Sequence, residues 1–244
     1  MTLSVQNVNK FRERPTALLI DLDDTLYPYA PSHEAALSQV RGKAERLLAI
    51  APRDFDALYD RARMEVKQKA GETAAAHNRL LYFQRMVELA GLKTQVLTAL
   101  DFEQTYWRTF LVHAHLFDNV IEFLDDIRLI GAPIVIVTDL NAQIQFRKIV
   151  YFGLDHYVDY VVTSEEAGAD KPNRAPFEIA LEKVGPTKGP IWFIGENPRI
   201  DIAGAMALGK FVVLQKVHAG VILADPAADA TFSDFGDLRK LLEI

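Results

Sequence analysis

A few of the acidic side chains in this 244-residue chain stand directly behind short apolar runs. Asp21, Asp23 and Asp24 stand in the stretch Asp21-Leu22-Asp23-Asp24-Thr25, and Glu196 and Asp201 follow the run 191–195. Thr138 and Asp139 close a third run, and Lys171-Pro172 comes a short loop after a fourth. If these runs are strands of one parallel sheet, their carboxyl ends share a crevice, which is where such sheets bind ligands. Carboxylates brought together there would repel one another unless a cation joined them. Acidic oxygen donors suit Mg²⁺, which keeps several waters and also binds substrate phosphate. Lys171 is then the cationic partner of a phosphate, and the Thr138 hydroxyl a neutral donor to another of its oxygens. No serine, histidine and aspartate constellation is evident, so the nucleophile indicated is a carboxylate, for which aspartyl-phosphate formation is an established use.

The elements that must position these residues show two textures. Short aliphatic or β-branched runs at 16–21, 133–138, 160–163, 191–195 and 211–214 read as strands buried on both faces, where continuous apolarity replaces alternation. Helical stretches at 120–130, 142–151, 175–184 and 200–208 lie between them. Strand and helix in alternation indicate an α/β fold, a doubly wound (Rossmann-like) parallel sheet. Residues 29–115 break the alternation: they contain no convincing strand and read as four amphipathic helices at 32–49, 52–69, 72–90 and 92–109, punctuated by Pro31, Pro52, Gly71 and Gly91. The expected organisation is a discontinuous catalytic core, 1–28 and 116–244, with an inserted all-α helical domain, 29–115.

Composition bounds the rest. There is no cysteine, which removes disulfides, thiolate metal ligands and cysteine nucleophiles. Half the residues are hydrophobic and a quarter charged, the balance of a globular chain with a sizeable core. The apolar runs 133–137 and 219–224 are far below the ~20 residues needed to cross a bilayer, so no membrane span is expected. The polar amino terminus is followed by an apolar run of only 17–20, short of the roughly 7–15 residues of a secretory h-region, and a cytoplasmic location is expected. The net charge of −6 disfavours general nucleic-acid binding. Residues 29–115 hold 12 of the 27 basic and 10 of the 33 acidic side chains, leaving 15 and 23 to the remainder. The excess acidity therefore belongs to the part expected to hold a metal.

Asp21-Leu22-Asp23-Asp24-Thr25 resembles the DxDxT first motif of the haloacid dehalogenase superfamily, and Thr138, Lys171 and Gly195-Glu196 with Asp201 fall in its later motifs in the right order. The helical insertion resembles that family's helical cap. The resemblance implies Asp21 as nucleophile and Asp23 as the acid that protonates the leaving oxygen and then, as base, activates water. It implies Mg²⁺ held by the Asp21 side chain, the Asp23 backbone carbonyl and Glu196, with Asp201 behind them or acting through water. Thr138, Asp139 and Lys171 become the candidate phosphate-binding residues, and the partner a small phosphorylated metabolite. Where the family's fourth motif commonly has Gly-Asp this chain has Gly195-Glu196, which leaves the direct ligand open between Glu196 and Asp201. Asp23 favours a phosphatase over a dehalogenase, since halide departure needs no proton donor. A phosphomutase uses the same aspartate pair, and a silent binding protein is the alternative outside catalysis.

Other signals carry less. Residues 204–210 spell GxxxxGK, but Phe211 stands where serine or threonine belongs, so this is no phosphate loop. His113 and His115 read as surface or packing residues. Tyr82, Phe83, Tyr106, Trp107 and Phe110 read as the core of the helical bundle, and His77, Arg79 and Arg85 as its solvated polar side chains, the alternative being that one of the three reaches a second anionic group of the substrate.

Overall fold

The structure, a computed structural model, describes residues 3–218 and 224–242; most of the apolar run 219–224 lies outside them. The chain divides into two compact units, one made of Met1–Pro28 and His115–Ile244, the other of Tyr29–Ala114. Among the described residues no helix is long and apolar enough to cross a membrane.

The first unit is an α/β fold around a seven-stranded sheet: β1 (Leu3–Val5), β2 (Ala17–Ile20), β3 (Ile134–Thr138), β4 (Tyr160–Thr163), β5 (Ile191–Gly195), β6 (Phe211–Lys216) and β7 (Ala230–Phe232). Their order is β1-β7-β6-β5-β2-β3-β4. All pairings are parallel except β1 with β7, so one edge is antiparallel. Strands β1 and β7 went unread in the sequence because three residues are too few to show a period. From β2 the chain builds outward through β3 to β4, then returns across β2 to lay down β5, β6 and β7. The order therefore reverses beside β2, and a crevice opens at its carboxyl end.

Both faces of the sheet are covered, which is why its central strands are apolar at every position. Ala17, Leu19, Val135, Val137, Phe193 and Val213 share one buried cluster with Phe177 and Phe211. Leu18, Ile20, Ile136, Trp192 and Ile194 alternate with these residues along the strands and are equally buried. Between the strands lie α5 (Val120–Leu129), α6 (Ala142–Tyr151), α7 (Ser164–Ala167), α8 (Arg174–Val184) and α9 (Ala203–Leu208), with α10 (Phe235–Arg239) near the end. The expected helix at 200–208 instead begins as a wide turn, Pro198–Ile202, in which the Ala203 N–H reaches back to the Pro198 carbonyl. Such widened turns occur at functional sites.

The second unit is four helices, α1 (Tyr29–Leu48), α2 (Pro52–Ala70), α3 (Arg79–Leu89) and α4 (Val96–His113). Pro31 does not delay α1, because a first-turn proline forfeits no intrahelical hydrogen bond. The third helix starts later than the expected 72. Asn78 caps it, accepting from Leu80 N at 2.9 Å and Leu81 N at 3.3 Å, and Ala74–His77 forms a separate tight turn. Tyr82, Phe83, Tyr106, Trp107 and Phe110 are buried together with Tyr59 and Phe102. Arg79 departs from its expected solvated position: its guanidinium lies against three of these rings.

Gly204 fixes how α9 approaches the loop carrying Lys171. A Cβ there would lie 2.7 Å from the Phe177 ring and 3.1 Å from the Pro172 Cα. Gly204→Ala should therefore cost about 1–3 kcal/mol of stability, read as a lower midpoint in thermal unfolding. An unchanged midpoint would mean that the contact yields without strain.

Candidate active site

Lys171 stands at the centre of the crevice. Its Nζ donates to Asp21 Oδ1 at 2.7 Å, to Asp201 Oδ1 at 2.7 Å and to the Val137 carbonyl at 3.0 Å. Three elements distant in sequence meet at this one ammonium: the end of β2, the end of β3 and the turn after β5. Burial alone would lower the Lys171 pKa, but Asp201, Asp21 and Asp139 outweigh it and hold the lysine charged, well above its usual range. Asp139 Oδ1 accepts from the Lys171 backbone N at 3.0 Å, so this carboxylate anchors the lysine's own backbone. Burial lifts Asp139 to about 6 against the pull of Lys171.

Around Lys171 the acids outnumber the cation. Burial raises Asp21 to about 7, opposed by Lys171 and assisted by Asp201 and Asp23. Glu196 is pushed strongly upward, first by burial and then by Asp201 and Asp21. Burial would raise Asp201 too, but Lys171 and a hydrogen bond with Glu196 leave it below its usual range. Asp201 Oδ2 also accepts the backbone N–H groups of Glu196 and Asn197, at 3.2 and 3.0 Å. The Thr25 hydroxyl lies 2.9 Å from Asp21 Oδ2 and 3.2 Å from Glu196 Oε2. Gly195 permits this packing, since a Cβ there would sit 2.5 Å from Asp201 Cβ. Asp21, Glu196 and Asp201 each present a carboxylate oxygen, all within 4.8 Å of one another. Three hard oxygen donors at that spacing, two of them with raised pKa values, fit a divalent cation: a further positive charge would relieve the repulsion that Lys171 alone leaves.

The side chain of Asp23 points elsewhere. Lys148 Nζ grips both its oxygens, at 2.7 and 2.8 Å, and the Tyr27 hydroxyl also bonds it. Gln145 Nε2 approaches Asp23 Oδ2 at 3.4 Å while donating to Thr138 Oγ1 at 2.6 Å and the Asp139 carbonyl at 2.7 Å. Gln145 and Lys148, three apart on α6, thus tie the first acidic stretch to the end of β3. Leu140, just beyond, has φ of 112°, a conformation that is strained for a residue with a Cβ.

All the residues picked out by sequence lie at this sheet edge: Asp21, Thr138, Asp139, Lys171, Glu196 and Asp201 around the lysine, and Asp23 beside them on its own cation. Sequence reasoning missed Tyr27, Gln145 and Lys148 as partners of Asp23 and Thr138. The signal for the two on α6 was present: both are fully buried polar residues on the face that also buries Ile144 and Ile149, where an amphipathic helix should be apolar.

Comparison with known proteins gives the family. The haloacid dehalogenase-like hydrolase family matches residues 15–209. A ribulose-1,5-bisphosphate 5-phosphatase from Halopiger xanaduensis is 37% identical over 200 residues, 82% of this chain and 84% of that protein. A glyceraldehyde 3-phosphate phosphatase from Methanopyrus kandleri is 28% identical over 93% of this chain and 96% of its own. Among solved structures, a phosphatase from Thermococcus onnurineus superposes with a TM-score of 0.70 at 24% identity, over 93% of this chain and 97% of that one. The chain belongs to the haloacid dehalogenase-like hydrolase family and is an enzyme of that class.

Lys148→Met should deprive the Asp23 carboxylate of its counter-charge while leaving the Lys171 cluster intact. Hydrolysis of p-nitrophenyl phosphate is expected to lose about 10- to 100-fold in kcat, the worth of a charge-assisted hydrogen-bond pair, with circular dichroism unchanged. A kcat equal to that of the parent protein would show that Lys148 does not govern Asp23.

Proposed function

We propose that this protein is a Mg²⁺-dependent phosphatase that hydrolyses a small phosphomonoester through a phospho-aspartate on Asp21. The observation that carries this reading is the separation of two aspartates two residues apart: Asp21 is held by Lys171 among the acids, and Asp23 is held by Lys148 and Tyr27. In this reading one serves as nucleophile and the other as proton carrier. The relatives named as phosphatases, acting on ribulose 1,5-bisphosphate, glyceraldehyde 3-phosphate and phosphoserine, support the class of reaction.

In the first step a carboxylate oxygen of Asp21 attacks phosphorus, the bond to the leaving oxygen breaks, and Asp23 gives its proton to that oxygen. In the second, Asp23 takes a proton from water as the water oxygen attacks the same phosphorus, freeing Asp21 and inorganic phosphate. The exchange of roles requires Asp23 to carry its proton out and back, for which Lys148 and Tyr27 hold the carboxyl group in place. Lys171 and the Thr138 hydroxyl bind the phosphoryl oxygens, a task of positioning and charge. Asp21, Glu196 and the Asp23 backbone carbonyl would hold Mg²⁺, which supplies positive charge to the phosphoryl oxygens and favours the ionised form of Asp21. Asp201 fixes Lys171 and the backbone of Glu196.

Asp21→Asn should lower phosphate release by at least about 10³-fold while the protein stays folded, and near-parental release would overturn the mechanism. Chelation with EDTA should abolish activity and added Mg²⁺ should restore it; full activity in EDTA would remove the metal from the proposal.

A further inference from the structure

Inside the helical unit a cation is enclosed without an anion. The Arg79 guanidinium lies 5.2 Å from the Tyr82 ring centroid, 5.5 Å from that of Tyr106 and 5.7 Å from that of Trp107. Its Nη1 donates to the His77 carbonyl at 2.6 Å and its Nη2 to the Tyr29 hydroxyl, while its enclosed Nε has no partner. Two of its five N–H groups are thus engaged, both by neutral oxygens. The groups that act on it most strongly are Tyr29, Tyr106, Tyr59 and Tyr82, and no carboxylate of the described residues forms an ion pair with it. These phenols do not serve as counter-ions: burial pushes Tyr59, Tyr82 and Tyr106 above their ordinary range, so they stay neutral. His33, bonded to Tyr106, is lowered to about 4 by burial and by Arg79 and Arg63, and stays neutral too. Arg63 adds a second positive charge acting on the same tyrosines.

A desolvated guanidinium is costly unless something negative pairs with it. Ring faces recover part of this, but the in-plane N–H edge is the stronger half of the group, and it presents two parallel donors to a planar or tetrahedral oxyanion. A second orphan lies in the same cluster: the hydroxyl of Tyr59, a residue only 3% exposed, has no hydrogen-bond partner. An unused guanidinium edge and an unused hydroxyl supply between them the donors that an anion's oxygens require.

We propose that Arg79, Tyr59 and Tyr29 form an oxyanion-binding site within the helical unit, taking a phosphate, sulfate or carboxylate group. The anion is a free oxyanion bound in its own right. Arg79→Gln keeps the polarity and removes the charge; Arg79→Lys keeps the charge and removes the fork. Low-millimolar sulfate raises the thermal midpoint of Asp21→Asn protein but not that of Asp21→Asn with Arg79→Gln, and Arg79→Lys recovers only part of the rise.

An equal rise with and without Arg79→Gln, or no rise at all, would overturn the proposal and leave Arg79 a packing residue. If the Gln variant does not fold, Asp21→Asn with Tyr59→Phe decides: a sulfate rise as large as that of Asp21→Asn alone would overturn the proposal equally.

Discussion

The ammonium of Lys171, held at 2.7 Å from both Asp21 and Asp201, is the contact on which the catalytic unit turns. Asp21 follows β2, Asp201 lies in the turn after β5, and Lys171 belongs to the long excursion beyond β4, so they meet only if the crossovers bring β5 back beside β2. Each carboxylate would be costly to bury alone, and so would the lysine. Together they are tolerable, yet one cation among Asp21, Asp201 and Glu196 leaves the site short of positive charge. Burial first, and the neighbouring acids after it, raise the pKa values of Asp21 and Glu196, and the shortage makes the cluster suited to a divalent cation.

Two further features protect that arrangement. Gly195 lets the backbone of the fourth motif approach Asp201 more closely than any Cβ would allow, so the Asp201 oxygens can receive two backbone N–H groups and the lysine at once. Asp139 ties the Lys171 backbone from the end of β3, which makes the position of the ammonium a property of the sheet. Asp23 is separated from this charge cluster by its own cation, Lys148, delivered by α6. Two aspartates two residues apart thereby occupy different electrostatic environments.

Much of this was legible in the sequence because parallel strands buried on both faces leave unbroken apolar runs, and the residues directly after such runs are forced to one edge. Asp21, Thr138, Glu196 and the strands before them could be read that way. Strands β1 and β7 could not, being too short to carry a pattern. Asn78 shows a different limit: a side chain that caps a helix can end one helical signal and begin another within it, so 72–90 read as one helix. Gln145 and Lys148 stood out as polar residues on the apolar face of α6, but what they pair with depends on where that helix docks.

By itself the sequence determined the class of chemistry, since residue types and their order after strands set which charges must meet, and strand periodicity set the α/β core. The pairing of those charges was decided by tertiary structure alone: that Lys171 bridges Asp21 to Asp201, that Lys148 belongs to Asp23, and that Arg79 lies among tyrosines with no acid of the described residues paired to it. The physical reason is that desolvation and hydrogen-bond geometry depend on neighbours from distant parts of the chain. Spacing along one strand or helix carries no record of them.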